Sequence, residues 1–155
     1  MRYSKYRMQV DLSKQINAPI ERVFDVFTDL PSAADRLSGV ESVEVLTDGP
    51  FAIGTRWKET RVMMGKAATE TMWITAVEPN RSYTAEAESC GTHYTSTFTF
   101  EPVDGGTRVT MSFSGRPVRL WAWLMVPVGV LMTGPIKKMV VQDLDDLAVA
   151  CEKPD

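Results

Sequence analysis

From Gly39 to Ser114 the chain repeats one unit, an alternating polar–apolar run followed by a short break of turn-forming residues. The runs cover 40–47, 54–63, 67–78, 82–90, 92–101 and 107–114, and the breaks fall at Asp48-Gly49-Pro50, Gly65, Pro79-Asn80, Gly91 and Asp104-Gly105-Gly106. Alternation of period two makes strands, and breaks this short make hairpins, so the pattern predicts an antiparallel meander. A sheet of that kind has an apolar face that another layer must cover. That need constrains the fold more than any other feature of the chain.

The flanking segments supply the cover. Residues 6–16 (YRMQVDLSKQI) alternate and predict a first strand. In APIERVFDVFTDLP, Ile20, Val23/Phe24, Phe27 and Leu30 recur at helical spacing; Pro19 suits the first turn, Glu21 suits the positive end of the dipole, and Pro31 stops the helix. A second short helix follows over 33–37. Near the end, Ile136, Val140, Leu144, Leu147 and Cys151 form one stripe, with Asp143, Asp145, Asp146 and Glu152 expected mostly off it. Trp121, Leu124/Met125, Val128 and Met132 extend the stripe upstream, where Pro127 and Pro135 should kink or divide the helix. The expectation is an α+β domain over 1–155. It has a curved antiparallel sheet of about seven strands wrapped around a long C-terminal helix, with two short helices after the first strand. Space left between sheet and helix is where a ligand would go.

Composition narrows the partner. With 155 residues and a net charge of −3, the chain is sized for one domain and lacks the concentrated basic face that phosphate binding needs, so no nucleic acid is expected. Two cysteines make no disulfide framework and fit a reducing, cytoplasmic setting. One histidine and two cysteines cannot build a structural zinc site, and Gly65-Lys66 lacks the rest of a phosphate loop; no metal or cofactor is expected. The opening MRYSKYRMQV has no apolar core of a signal peptide.

The runs INAPIERVFDVFTDLP, GTRWKE, VEPNRSY and FEPVDGGTRVTMSF, followed by a C-terminal helix, occur in this order. Together they resemble the SRPBCC superfamily, the START-like helix-grip fold, and most of all its polyketide cyclase/dehydrase and lipid-transport branch. The resemblance spans nearly the whole chain. It implies a helix-grip fold with an apolar cavity, in a superfamily of apolar-ligand carriers, aromatic cyclases and proteins without known reaction. It carries over no catalytic motif.

In the strand from Gly54 to Met63, Trp57, Glu59, Arg61 and Met63 share a face, and the resemblance turns that face inward. Glu59 and Arg61 would then sit in an apolar cavity, where an isolated charge costs several kcal/mol; they should pair with each other or with a polar ligand group. A solvated cavity mouth is the alternative. Tyr83 and Tyr94 offer either a hydroxyl to orient a ligand or simple packing. Trp73, Phe98, Phe100, Met111 and Phe113 are expected on the concave face, and Met125, Val128 and Met132 should come from the helix. Nine methionines suit an irregular apolar pocket and an ordinary core alike. His93 alternates with inward residues and is expected outside. No Ser-His-Asp or Cys-His arrangement can be assembled.

The stretch Leu120–Ile136 has no charged side chain and carries two prolines and two glycines. Arg116 and Arg119 precede it and Lys137-Lys138 follow. Pocket lining, contact with a second copy in a homodimer, and peripheral contact with a membrane surface all fit it. The functional expectation is binding of a small hydrophobic or amphipathic ligand (lipid, polyketide or isoprenoid-like). The alternatives are a polyketide cyclase/dehydratase-type enzyme and a docking module that uses the apolar 120–136 segment.

Overall fold

The computed structural model describes residues 8–154. Residues 6 and 7 of the expected first strand lie outside that range. Among the described residues, seven strands form one antiparallel sheet: β1 Met8–Ile16, β2 Val40–Val45, β3 Arg56–Met63, β4 Lys66–Glu78, β5 Ser82–Ser89, β6 Thr92–Val103 and β7 Gly106–Pro117. Their order is β1-β7-β6-β5-β4-β3-β2, so β2 to β7 run as a meander and β1 returns to pair with β7. The pairing of β6 with β7 is continuous from Thr92↔Pro117 to Val103↔Gly106.

Between β1 and β2 lie α1 (Ile20–Thr28), a 3-10 turn at Leu30–Ser32 and α2 (Ala33–Arg36). Pro19 stands at the N-cap of α1 rather than inside it, and its carbonyl accepts the first helical bond from the Val23 amide at 3.0 Å. Val23, Phe24 and Phe27 are the buried stripe of α1.

The C-terminal cover comes in pieces, as the prolines require. A 3-10 segment, Leu120–Met125, leads to α3 (Val126–Leu131), and after a break at Met132 the long α4 runs from Thr133 to Glu152. Pro127 and Pro135 each fall in the first turn of a helix, where a missing N–H leaves no bond unmade.

Val140, Leu144, Leu147, Ala148 and Cys151 of α4 are buried, in one cluster with Ile16, Val23, Phe24, Ile74, Tyr83, Phe100 and Val109. Polar ties fix the C-terminal half of α4 from several sides. Lys14 Nζ lies 2.8 Å from Asp145, and the Ser38 amide and hydroxyl donate to Asp146 at 2.9 and 2.8 Å. The Asn17 amide donates to Glu152 at 2.9 Å, and Arg22 donates to the carbonyls of Cys151 and Lys153 at 2.6 and 2.7 Å. The Arg22 bonds cap carbonyls that a helix end leaves without partners.

Candidate functional site: an apolar cavity with a charged wall

Sheet and helix enclose a cavity of about 700 Å3. Its origin lies in residue size. Ala68, Ala85, Ala87, Ser96 and Gly115 take inward positions on β4 to β7, alternating with or facing larger side chains. Small residues on a concave face cannot reach α4, and the volume they leave is the cavity.

One part of the wall is aromatic. The Tyr83 and Phe98 rings stack at 4.7 Å, and Phe51 meets Tyr83 edge-on at 5.2 Å. Phe24 and Phe27 each pack edge-on against Phe100 at 5.3 Å behind them. Elsewhere Tyr94 stacks on Phe113 at 5.6 Å, with room made by Gly115, where a Cβ would stand 3.1 Å from the Tyr94 ring. Trp121, Met125 and Val128 from the 3-10 segment and α3, with Met132, close another part.

The charged part joins β3 to α4. Arg61 donates to both oxygens of Asp143 at 3.2 and 2.7 Å, a two-pronged pair, and its Nε donates to Glu59 at 3.2 Å. Each of the three side chains is less than a fifth exposed. Burial alone would pull the Arg61 guanidinium down, but Glu59 and Asp143 more than offset it and hold it above the usual arginine value. Burial pushes the Asp143 carboxyl up from the ordinary aspartate range; Arg61 pulls it back only in part, while Glu59 and Asp146 push it further up. The two directions differ in cause: the paired carboxylates hold the Arg61 guanidinium up, whereas burial is what raises Asp143. Glu70, directly opposite Glu59 in the β3–β4 register, adds a third carboxylate to the same wall.

Tyr83 brings the neutral polar group. Its hydroxyl has no hydrogen-bond partner among the described residues. Burial first, and the Glu59 charge second, push its proton loss far above the ordinary tyrosine value, so the group remains a donor. Burial and then the Glu70 charge also raise Tyr94. The indole Nε1 of Trp57 is buried without an acceptor among the described residues.

Of the thirteen residues expected to touch a ligand, the structure brings twelve to this cavity: Trp57, Glu59, Arg61, Met63, Tyr83, Tyr94, Phe98, Met111, Phe113, Met125, Val128 and Met132. Trp73 is the exception and must be corrected. It pairs with Arg56 and Glu86 on the outer face, because Met72 and Ile74 take the inner positions of β4. There the His93 ring meets it edge-on at 6.2 Å and the Arg56 guanidinium lies over it at 5.3 Å, which shelters an outward tryptophan. His93 stands on the outer face as expected, though half-covered, with Nε2 2.8 Å from Glu86.

Two charged wall residues escaped sequence reasoning, Glu70 and, more tellingly, Asp143. It was expected off the apolar stripe because it is charged. Yet it lies three residues after Val140 and four before Leu147, which puts it on the inward face by angle. The small inward residues were a second available signal.

A seven-stranded antiparallel sheet curved over one long helix, with short helices after the first strand, is the helix-grip architecture, and the chain is an SRPBCC protein. More narrowly, residues 7–152 match the family described as polyketide cyclase / dehydrase and lipid transport, and the chain belongs to that family. No curated protein matches it. Among solved structures, TTHA0849 from Thermus thermophilus is 24% identical, with 94% of this chain and 99% of that one covered and a TM-score of 0.75. The Zhui aromatase/cyclase from Streptomyces sp. R1128 is 16% identical, with 94% of each chain covered and a TM-score of 0.77. The di-domain ARO/CYC BexL from the BE-7585A biosynthetic pathway is 14% identical, with 98% of this chain and 52% of that one covered and a TM-score of 0.79. At these identities the likeness is one of fold.

Proposed function

We propose that this protein binds a small amphipathic molecule, with its apolar body in the cavity and a hydrogen-bond-donating or cationic head toward Glu59, Arg61, Asp143 and Tyr83. The observation that carries the proposal is the cavity itself, about 700 Å3 with mostly apolar walls and one charged wall. That volume lies within the common range for small-molecule sites. Apolar burial supplies most of the affinity, at about 25 cal/mol per Å2 removed from water. Charge sets the preference for the head. Arg61 is already engaged by two carboxylates and Glu70 stands beside them, so an anionic head would meet a net negative wall. Alcohols, phenols and amines suit that wall; fatty acids do not.

Nile red displacement by dodecanol, dodecylamine and dodecanoate tests the proposal. The alcohol and the amine should displace the dye and dodecanoate should compete worst. Ala87→Leu, which fills cavity space from a position on its wall, should weaken binding about tenfold without lowering the melting temperature. Dodecanoate binding best would sink the preference for the head. Failure of the dye and all three amphiphiles to bind would sink the carrier reading itself.

A second reading, polyketide cyclisation or dehydration, is supported by the Tyr83 hydroxyl, a proton donor without a protein partner among the described residues and near Glu59. Tyr83→Phe separates the two readings. A carrier keeps the affinity of ligands without a head-group acceptor, whereas an enzyme loses turnover of an aromatisable polyketide chain while still binding it.

A further inference from the structure

Pocket lining, contact with a second copy and contact with a membrane surface all fit the apolar stretch by sequence, and between Leu120 and Leu131 much of it faces outward. Leu120 is 91% exposed, Leu124 81% and Leu131 78%, with Trp121 and Trp123 about half exposed between them. A folded chain seldom leaves such a concentration of large apolar side chains in water without a use for it. Tryptophan and leucine on a short helical segment are the side chains that settle at the boundary between lipid headgroups and acyl chains.

Charge supplies the second, independent observation. Between Asp104 and Asp143 the sequence holds Arg108, Arg116, Arg119, Lys137 and Lys138 and not one Asp or Glu, in a chain whose net charge is −3. Arg116 and Arg119 stand just before the apolar segment and Lys137 and Lys138 just after it, all exposed. Arg119, Lys137 and Lys138 have no ion-pair partner among the described residues. A basic border around an apolar face matches an anionic surface with an apolar interior. A second copy of this chain, acidic overall but with the same basic border, would set like charges against each other around the contact.

We infer that the Leu120–Leu131 segment docks this protein on an anionic lipid bilayer surface, with Leu120, Leu124 and Leu131 entering the headgroup boundary and the flanking Arg and Lys side chains on the lipid charges. Binding is peripheral, because no helix among the described residues is long and apolar enough to cross a membrane. Trp121, Met125 and Val128 of the same segment also wall the cavity, so the cavity's apolar interior lies one side-chain layer from the bilayer.

Vesicle flotation of the full chain tests this without knowledge of the cavity's ligand. The protein should float with phosphatidylcholine vesicles containing phosphatidylglycerol, should float poorly with pure phosphatidylcholine, and should be released by salt. Leu120→Asp and Leu124→Asp should each weaken binding about tenfold. Both side chains are largely in water, so the melting temperature should hold. Lys137→Glu with Lys138→Glu should cost about fivefold per lysine on the anionic vesicles alone. No flotation with either vesicle overturns the inference, as does salt-insensitive flotation that the leucine variants do not change. A dimer in sedimentation that Leu124→Asp dissociates, from a wild type that ignores vesicles, overturns it in favour of a second copy as occupant.

Discussion

At the scale of single residues, two cysteines of one chain are set apart by environment. Cys151 is buried in the core, and desolvation pushes its thiol up to about 11 despite the nearby Arg22 and Arg36 charges. Cys90 is exposed at the turn between β5 and β6. The thiolate is the reactive form, so iodoacetamide on the native protein at neutral pH should label Cys90 and leave Cys151 unmodified until denaturant is added. Labelling of both at similar rates would mean that the core beneath α4 opens readily. The candidate site was legible where period-two alternation decides the facing, as with Glu59 and Arg61. It failed at Trp73 and Asp143. Trp73 was expected on the concave face with the inward aromatics, but it shares parity with Thr71 and Thr75, which the sheet places outward. Asp143 shares an angle with Val140, but its charge argued for the outside. Arg61 is what admits a carboxylate there, and a contact between residues 82 positions apart leaves no mark in local pattern.

At the scale of elements, polar ties at Asp143, Asp145, Asp146, Cys151 and Glu152 fasten the C-terminal half of α4 to β1, β3, α1 and the loops beside them. The 3-10 segment is tied just before its start, where the Val118 and Arg119 amides donate to the Gly91 carbonyl at 2.8 and 3.3 Å. Gly91 is required there twice over. Its φ of +71° suits glycine, and a Cβ would lie 2.9 Å from Trp121 Cζ2. Gly91→Ala should therefore cost about 1–3 kcal/mol and shift Trp121, read as a lower melting temperature together with altered tryptophan emission. A variant of unchanged stability and spectrum would show that the turn does not position the segment. Element boundaries were legible to within a few residues because turn chemistry ends the strands. β6 and β7 run two or three residues beyond the alternation, to Val103 and Pro117, because each edge is extended by the other through cross-strand bonds. The prolines foretold the division of the C-terminal cover, since a residue without an N–H belongs only at the start of each piece.

At the scale of the whole molecule, the charged wall couples stability to pH. The folded-state Asp143 carboxyl lies above its unfolded value, so its contribution is fully present below the ordinary aspartate range and is lost as pH rises through the folded value. Asp143→Asn mimics the protonated form. The stability of wild type relative to that variant should therefore fall as pH rises from the ordinary aspartate range toward neutrality. Melting curves of both proteins across that window check it; a relative stability that rises with pH would mean that the Arg61 attraction outweighs burial. The strand order has a further consequence. A meander that does not close leaves β2 with one side of its backbone unpaired, open to recruitment by another chain. That strand is only six residues long, is interrupted by a register shift after Val40, and carries exposed Glu41 and Glu44. Two glutamates on so short a border repel an approaching copy of themselves, and the register shift spoils the straight edge that edge-to-edge stacking into fibrils would need.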